Sequence, residues 1–218
     1  MRLRLINPNT NAATTALMVS RARAGAPEGV LIEGATVTEG APLLADPTLL
    51  AAGARAVERH VEGLDCNGLS GLIIAAFGDP GLEAVRSRVS VPVTGIAEAA
   101  IAEASAVGDF AIVTTTRLLA SAIDARVTAY GASAGYRGCV FTRHDATQLS
   151  ADPAALEAEL EQACLEAIRT RAPRAIVIGG GPLAAAAEVL SRRLPIRVIE
   201  PVPAAVRLAV RRAREATP

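Results

Sequence analysis

Short apolar runs alternate along this chain with longer, Ala-rich stretches of helical period, and the whole alternation occurs twice. Runs of that length bounded by turn residues predict buried strands, and the intervening period predicts helices, so the pattern is that of βα units around parallel sheets. In the first half the expected strands are Leu3–Ile6, Leu31–Val37, Leu72–Ala76 and Val91–Val93. In the second they are Phe110–Val113, Gly138–Phe141, Ala175–Ile178 and Ile196–Ile199. The halves overlay at an offset of about 104 to 107 residues: Leu3–Asn9 on Phe110–Thr116, Leu72–Pro80 on Ile176–Ala184, Val91–Ala100 on Ile196–Ala205. The expected fold class is therefore α/β, with two pseudo-symmetric lobes, each a parallel four-stranded sheet flanked by helices, and a ligand cleft between them. Lobe 1 is expected over residues 1–97, completed by the C-terminal helix at 202–218, and lobe 2 over 98–201. Helices at Ile96–Ala106 and Val202–Glu215 are expected to join the lobes.

Composition excludes several chemistries. Every one of the 22 basic residues is arginine, which removes a Schiff-base lysine, a pyridoxal phosphate anchor and a Walker-type phosphate lysine. The formal net charge is +0, leaving no electrostatic footprint for nucleic acid. No segment approaches the roughly 20 apolar residues of a membrane span, and Asn7-Pro8 interrupts the only apolar run near the start, so a signal peptide is not expected. A cytoplasmic protein is the resulting expectation. Three widely spaced cysteines (Cys66, Cys139, Cys164) and two distant histidines (His60, His144) make no metal-ligand cluster. Cys139 and Cys164 read as packing residues, with Cys139 beginning a strand, and Cys66 precedes a strand at its amino end.

Ligands of parallel α/β sheets gather beyond the carboxyl ends of the strands, which singles out four loops. Asn7-Pro8-Asn9-Thr10-Asn11 precedes a helix expected to start near Ala12; its polar side chains serve as a cap, or Asn9, Thr10 and the free amides grip a carboxylate or ureide. Thr114-Thr115-Thr116-Arg117 is its counterpart, again suited to a helix cap or to a carboxylate or carbonyl oxygen. In Phe77-Gly78-Asp79-Pro80-Gly81, Asp79 followed by proline predicts an N-cap of a helix running through Arg88, and it is also the most tempting acid. Gly179-Gly180-Gly181-Pro182 supplies further amides; its position and Pro182 do not fit a dinucleotide fingerprint. His144, in a polar loop after a strand, is the second acid/base candidate. Glu98 and Glu200 open equivalent helices and either reach the cleft or favour the helix dipole.

Ile6–Thr10, Phe77–Gly81, Val113–Thr115 and the glycine loop at Gly179 together resemble the aspartate/glutamate/hydantoin racemase superfamily, most closely its hydantoin racemase branch, over nearly the whole chain. The resemblance implies two like-folded α/β lobes, an inter-lobe cleft, no cofactor and a homo-oligomer; the cysteine and histidine spacing already leads to the expectation of no metal. It also implies a pair of cysteines on opposite sides of a carbon acid, one removing the α-proton and the other returning a proton to the far face. The first cysteine precedes Phe-Gly-Asp-Pro and the second follows a glycine of the late loop. Those places hold Ala76 and Gly180 here. The groups that remain for binding are Asn9, Thr10, Phe77, Gly78, Thr114, Thr115, Thr116, Gly181 and Pro182. The function expected first is a cofactor-independent racemase or isomerase acting on a hydantoin-like or amino-acid-like carboxylate, with Asp79 and His144 as candidate acid/base groups. The alternative is a non-catalytic protein binding a carboxylate or ureide, or a decarboxylase or lyase using the same cleft.

Overall fold

The computed structural model describes residues 1–216; residues 217–218, the end of the expected C-terminal helix, lie outside the described residues. Among the described residues, two four-stranded parallel sheets form. The first comprises β1 (Arg2–Asn7), β2 (Leu31–Thr36), β3 (Gly71–Ile74) and β4 (Val93–Gly95), in the order β2-β1-β3-β4. The second comprises β5 (Phe110–Thr114), β6 (Tyr136–Phe141), β7 (Ala175–Ile178) and β8 (Arg197–Ile199), in the order β6-β5-β7-β8. The duplication holds at the level of register: Leu3 pairs with Gly71 in one sheet, and Phe110, its counterpart, pairs with Ala175 in the other. Three strands depart from their expected positions by two residues at an end, the third stopping at Ile74, short of Ala76. The fourth begins at Val93, past Pro92, which has no amide to give a ladder. The sixth begins at Tyr136, which places Cys139 inside the strand instead of at its start.

The helices are α1 (Ala12–Ala24), α2 (Pro47–Glu62), α3 (Leu82–Arg86), α4 (Ile96–Val107), α5 (Ala120–Ala129), α6 (Ala146–Leu149), α7 (Pro153–Arg171), α8 (Ala184–Arg193) and α9 (Pro201–Glu215). No helix among the described residues is long and apolar enough to cross a membrane. Their placement follows strand alternation. Ile6, Leu72, Ile74 and Val93 point to one face of the first sheet, where they pack with Val57 and Val61 of α2 and Leu82 and Val85 of α3. Ala111, Val113, Ile176 and Ile178 make the corresponding outer layer with Leu160 and Cys164 of α7 and Leu190 of α8. The inner faces of both sheets share one core: Leu3, Leu5 and Ile73 from the first, Phe110, Ile112 and Val177 from the second, with α1, α4, α5 and α9 between them.

The two joining helices cross over. α4 leaves the first sheet and packs against β7 and β8, while α9 leaves the second and packs against β3 and β4. They also pack on one another, through alanines such as Ala97, Ala100, Ala205 and Ala209 that let the backbones approach closely. Charged clamps fix both helix starts. Glu98 of α4 receives two bonds of 2.7 and 2.8 Å from Arg86 of α3 and two of the same lengths from Arg212 of α9. Glu200, which precedes α9, pairs at 2.8 Å with Arg21 of α1, whose other terminal nitrogen holds Glu188 of α8. Burial alone would raise the Glu98 carboxyl, but the hydrogen bonds from Arg212 and Arg86 prevail and hold it below the usual range.

Removing Glu98 leaves two half-buried guanidinium groups facing each other. Glu98→Ala is expected to cost about 3 kcal/mol. Glu103→Ala, whose partners Arg197 and Arg207 are well exposed, is expected to cost under about 1 kcal/mol. Urea unfolding of the two variants side by side checks this contrast.

Candidate functional site

The four loops emerge at the carboxyl ends of the two middle strands of each sheet, and the structure brings the lobes together there. A Cβ built at Gly179 would lie 3.1 Å from the Phe77 ring, and one at Gly181 would meet the Met18 sulfur at 2.4 Å and the Ala75 carbonyl oxygen at 3.3 Å. The turn after β3 and the turn after β7 therefore abut. Ala76 and Gly180 occupy equivalent places on them, each two residues past its strand.

The Asn-rich loop is held by its own amides. Asn7, fully buried, donates from Nδ2 to Asn9 Oδ1 at 2.9 Å, Thr15 Oγ1 at 3.0 Å and the Asn11 carbonyl at 3.1 Å. The cap of α1 is Asn11, whose side chain accepts from the Thr14 amide at 3.1 Å. Asn9 Oδ1 accepts from Asn7 and from the Asn11 amide, which turns its Nδ2 outward. Among the described residues, that Nδ2 and the Thr115 hydroxyl have no hydrogen-bond partner; each residue as a whole is 4% exposed. The backbone amides of Phe77, Gly78, Thr115 and Gly180 are likewise unpaired among the described residues. Among the described residues the unpaired side-chain atoms cut off from solvent are Arg2 Nε and Arg21 Nε, so Asn9 Nδ2 and the Thr115 hydroxyl remain open to solvent and to an acceptor-bearing ligand. Thr114 behaves differently from a helix cap: its hydroxyl donates to the Gly179 carbonyl at 2.7 Å and contacts Thr116 Oγ1 at 3.2 Å, tying β5 to the glycine turn. The short 3-10 turn at Arg117–Leu119 has no side-chain cap.

Asp79 corrects its sequence expectation. The helix that follows it runs only from Leu82 to Arg86 and starts from Gly81, in the left-handed region at φ 77°. The fully buried Asp79 carboxylate reaches instead to α4, accepting from the amides of Ala97 at 2.9 Å and Glu98 at 2.7 Å, and from the Tyr130 hydroxyl of lobe 2 at 2.7 Å. To do so Asp79 takes a φ of 48°, which costs an L-residue about 1–2 kcal/mol. Burial pushes its carboxyl up to about 6, against the opposite pull of the bonds from Tyr130, Ala97 and Glu98. Gly95 is required beside it, because an added Cβ would lie 2.2 Å from the Asp79 carboxyl carbon.

Residues 3–209 match the family described as Asp/Glu/Hydantoin racemase. The chain belongs to this racemase family. It is 30% identical over 211 residues to a hydantoin racemase of Paenarthrobacter aurescens, a match covering 96% of this chain and 89% of that one. Two solved allantoin racemases share its fold. The one from Klebsiella pneumoniae is 32% identical with a TM-score of 0.92, over 97% of this chain and 86% of that one. The one from Pseudomonas fluorescens is 29% identical with a TM-score of 0.93, over 99% and 92% respectively.

Within this racemase frame the remaining candidates fall in distinct places. His144 is exposed and its ring Nδ1 contacts Glu159 of α7, whose other oxygen takes the His144 amide at 2.9 Å. Glu98 and Glu200 are committed to arginines, as described above. Cys139 lies 3.0 Å from the Tyr136 hydroxyl and burial pushes its thiol up to about 11; burial pushes Cys164 up to about 12. Neither thiol is prepared to ionise. The described residues hold no group of three His, Cys, Asp or Glu side chains placed for a metal ion. A cavity of about 430 Å³ lined by Arg86, Ser90 and Arg212 opens elsewhere, at the amino end of β4, where the guanidinium donors are taken up by Glu98 and the Val93 carbonyl. The sequence did not point to Tyr130, Gly95 or Met18 as parts of the site.

Two outcomes test this geometry. Gly95→Ala is expected to destabilise the protein by about 2–4 kcal/mol, because it displaces the Asp79 carboxylate and uncaps α4; thermal and urea unfolding measure it. The second concerns pH. With its folded pKa above the usual carboxylate value, Asp79 takes up a proton on folding between about pH 4 and 6, so its contribution to stability falls as pH rises through that window, by on the order of 3 kcal/mol. His60, held below its ordinary value by burial, acts with the opposite sign. The difference between wild type and Asp79→Asn isolates the Asp79 part. That difference should change steadily between pH 4 and 6 and be flat above about pH 7.

Proposed function

We propose that this member of the racemase family binds a small cyclic ureide or related carboxylate, of the hydantoin and allantoin class, between its lobes, and that proton transfer by a pair of thiols is no part of its action. The observation that carries this proposal is a pairing of presence and replacement at the same strand ends. Asn9 and Thr115, nearly buried, hold unpaired donors, and the unpaired amides of Phe77, Gly78 and Gly180 lie on the turns that follow the neighbouring strands. Ala76 and Gly180, which we assign as the family's two cysteine positions, carry no group that moves a proton. A ring with carbonyl oxygens and a carboxylate-like face supplies acceptors to that set of donors. Stereoinversion needs an acid/base group on each side of the carbon acid, and neither position has one. By the same resemblance, we propose a cofactor-free homo-oligomer in the cytoplasm.

A second reading is favoured by one observation. Asp79, three residues from Ala76, has a carboxyl raised to about 6, within range for general acid/base work. An isomerase would then pass the proton through Asp79 or through ordered water, and a decarboxylase would need a single such donor. The two readings separate in deuterated water. Calorimetry over a panel of 5-monosubstituted hydantoins, allantoin and acidic amino acids finds the ligand, and proton NMR follows its α-proton. Our proposal expects binding, with thermal stabilisation of about 2.7 kcal/mol at a hundredfold excess over Kd, and no enzyme-dependent exchange. Exchange at turnover rates with any of them establishes the isomerase reading instead.

The cysteine assignment has its own test. A Cβ at Gly180 would stand 3.0 Å from Leu183 Cγ, so Leu183 has filled the space that a side chain there requires. The backbone itself, at φ 163°, accepts any residue. Ala76→Cys/Gly180→Cys is expected to gain little exchange activity, and adding Leu183→Ala is expected to raise exchange at least tenfold over the double variant. If the triple variant folds, binds ligand and remains silent, positions 76 and 180 are not the family's cysteine positions.

A further inference from the structure

The turn carrying Ala76 is shut against lobe 2. The Phe77 ring crosses Gly179 at contact distance, and among the described residues one hydrogen bond between side chains spans the lobes at the same turn: Tyr130 Oη, at the C-terminal cap of α5, donates to Asp79 Oδ2 at 2.7 Å. Asp79 is at once part of the Phe77–Gly81 turn and the acceptor for the first amides of α4. One carboxylate therefore joins three things: the cleft turn of lobe 1, the helix that crosses between the lobes, and an aromatic residue of lobe 2. The family resemblance assigns no role to Tyr130.

We infer that Asp79 and Tyr130 form a latch that positions the Phe77–Gly81 turn over the cleft, and that release of this bond lets the turn part from the glycine loop to admit ligand. The charge balance makes the latch adjustable. The groups around Asp79 are the Tyr130 hydroxyl, the like-charged Glu98 on α4 and, through Tyr130, Arg126 on α5; Arg86 and Arg212 are spent on Glu98. No cation bonds to the buried carboxylate among the described residues. Opening hydrates it and returns it toward the ordinary carboxylate value, while closing holds it up near 6. Protons consequently favour the closed turn, and opening becomes easier as pH rises through about 6.

Amide hydrogen exchange of the ligand-free protein reads this directly. Tyr130→Phe keeps the ring, which packs against the shared inner core and the outer layer of the first sheet, and removes only the hydroxyl. It is expected to speed exchange about tenfold or more, as for a lost hydrogen bond to a charged group, at residues 76–81, at the start of α4 and at the end of α5. Exchange in the central strands β1 and β5 should stay unchanged. In wild type, protection of the same segments, corrected for intrinsic exchange, should rise as pH falls from 6.5 to 4.5, and Asp79→Asn should abolish that rise. Uniform acceleration over the whole chain in Tyr130→Phe, no acceleration, or wild-type protection that falls with falling pH each overturns the latch. If Asp79→Asn does not fold, the Tyr130→Phe comparison decides alone. Hydantoin or allantoin binding by Tyr130→Phe is expected to show a faster association rate than wild type. If wild type binds neither, the proposed ligand class fails, and the exchange result still decides the latch.

Discussion

Two helices that each leave one sheet and cover the other hold this molecule together. α4 and α9 bury their alanine faces against one another and against the opposite lobe, so the inner faces of both sheets share one core. Neither lobe can rotate freely, because the helix it would carry is the packing of its neighbour. The strand ends are consequently brought to one place, and the turns after β3 and β7 meet. A pseudo-symmetric meeting of strand ends is the geometric consequence of that exchange of helices.

Symmetry of fold does not extend to the chemistry of the helix starts. At the start of α4, Ala97 and Glu98 present amides that the helix itself cannot satisfy, and Asp79 accepts both. The corresponding residues of α9 are Val202 and Pro203, with Pro201 before them. Proline has no amide to satisfy, so of these three residues only Val202 presents one, and Leu183 stands where a counterpart of Asp79 would be by the strand overlay. Lobe 1 thus carries a buried, strained, charged turn, whereas lobe 2 carries an apolar one packed by Leu183 and Met18. Asp79 is better accounted for by this structural demand than by its appeal as an acid next to a cleft.

Most of the fold was legible because strand and helix periods are local. The eight expected strands all form, helices fill the stretches of helical period between them, and the duplication survives into strand register. The site was legible only in part. Polar loops at strand ends locate it, and the family resemblance says what stands at Ala76 and Gly180. Partnership across the lobes was not legible. An Asp-Pro pair reads as a local cap, and nothing near Asp79 in sequence announces that its acceptors serve a helix 18 residues on or a tyrosine 51 residues on. Glu98 and Glu200 likewise resembled free acids until Arg212 and Arg21, each more than 100 positions away, closed on them.

The central claim is that the cleft keeps its donors and has no proton carrier at the reacting carbon. A crystal structure of the protein with a 5-substituted hydantoin or allantoin tests it most directly. The account predicts ring oxygens within hydrogen-bonding distance of Asn9 Nδ2, the Thr115 hydroxyl and the amides of the two abutting turns, with Ala76 and Gly180 flanking the stereogenic carbon and no ionisable side chain in contact with it. A ring bound elsewhere, or an Asp79 or His144 side chain turned onto that carbon, would contradict it.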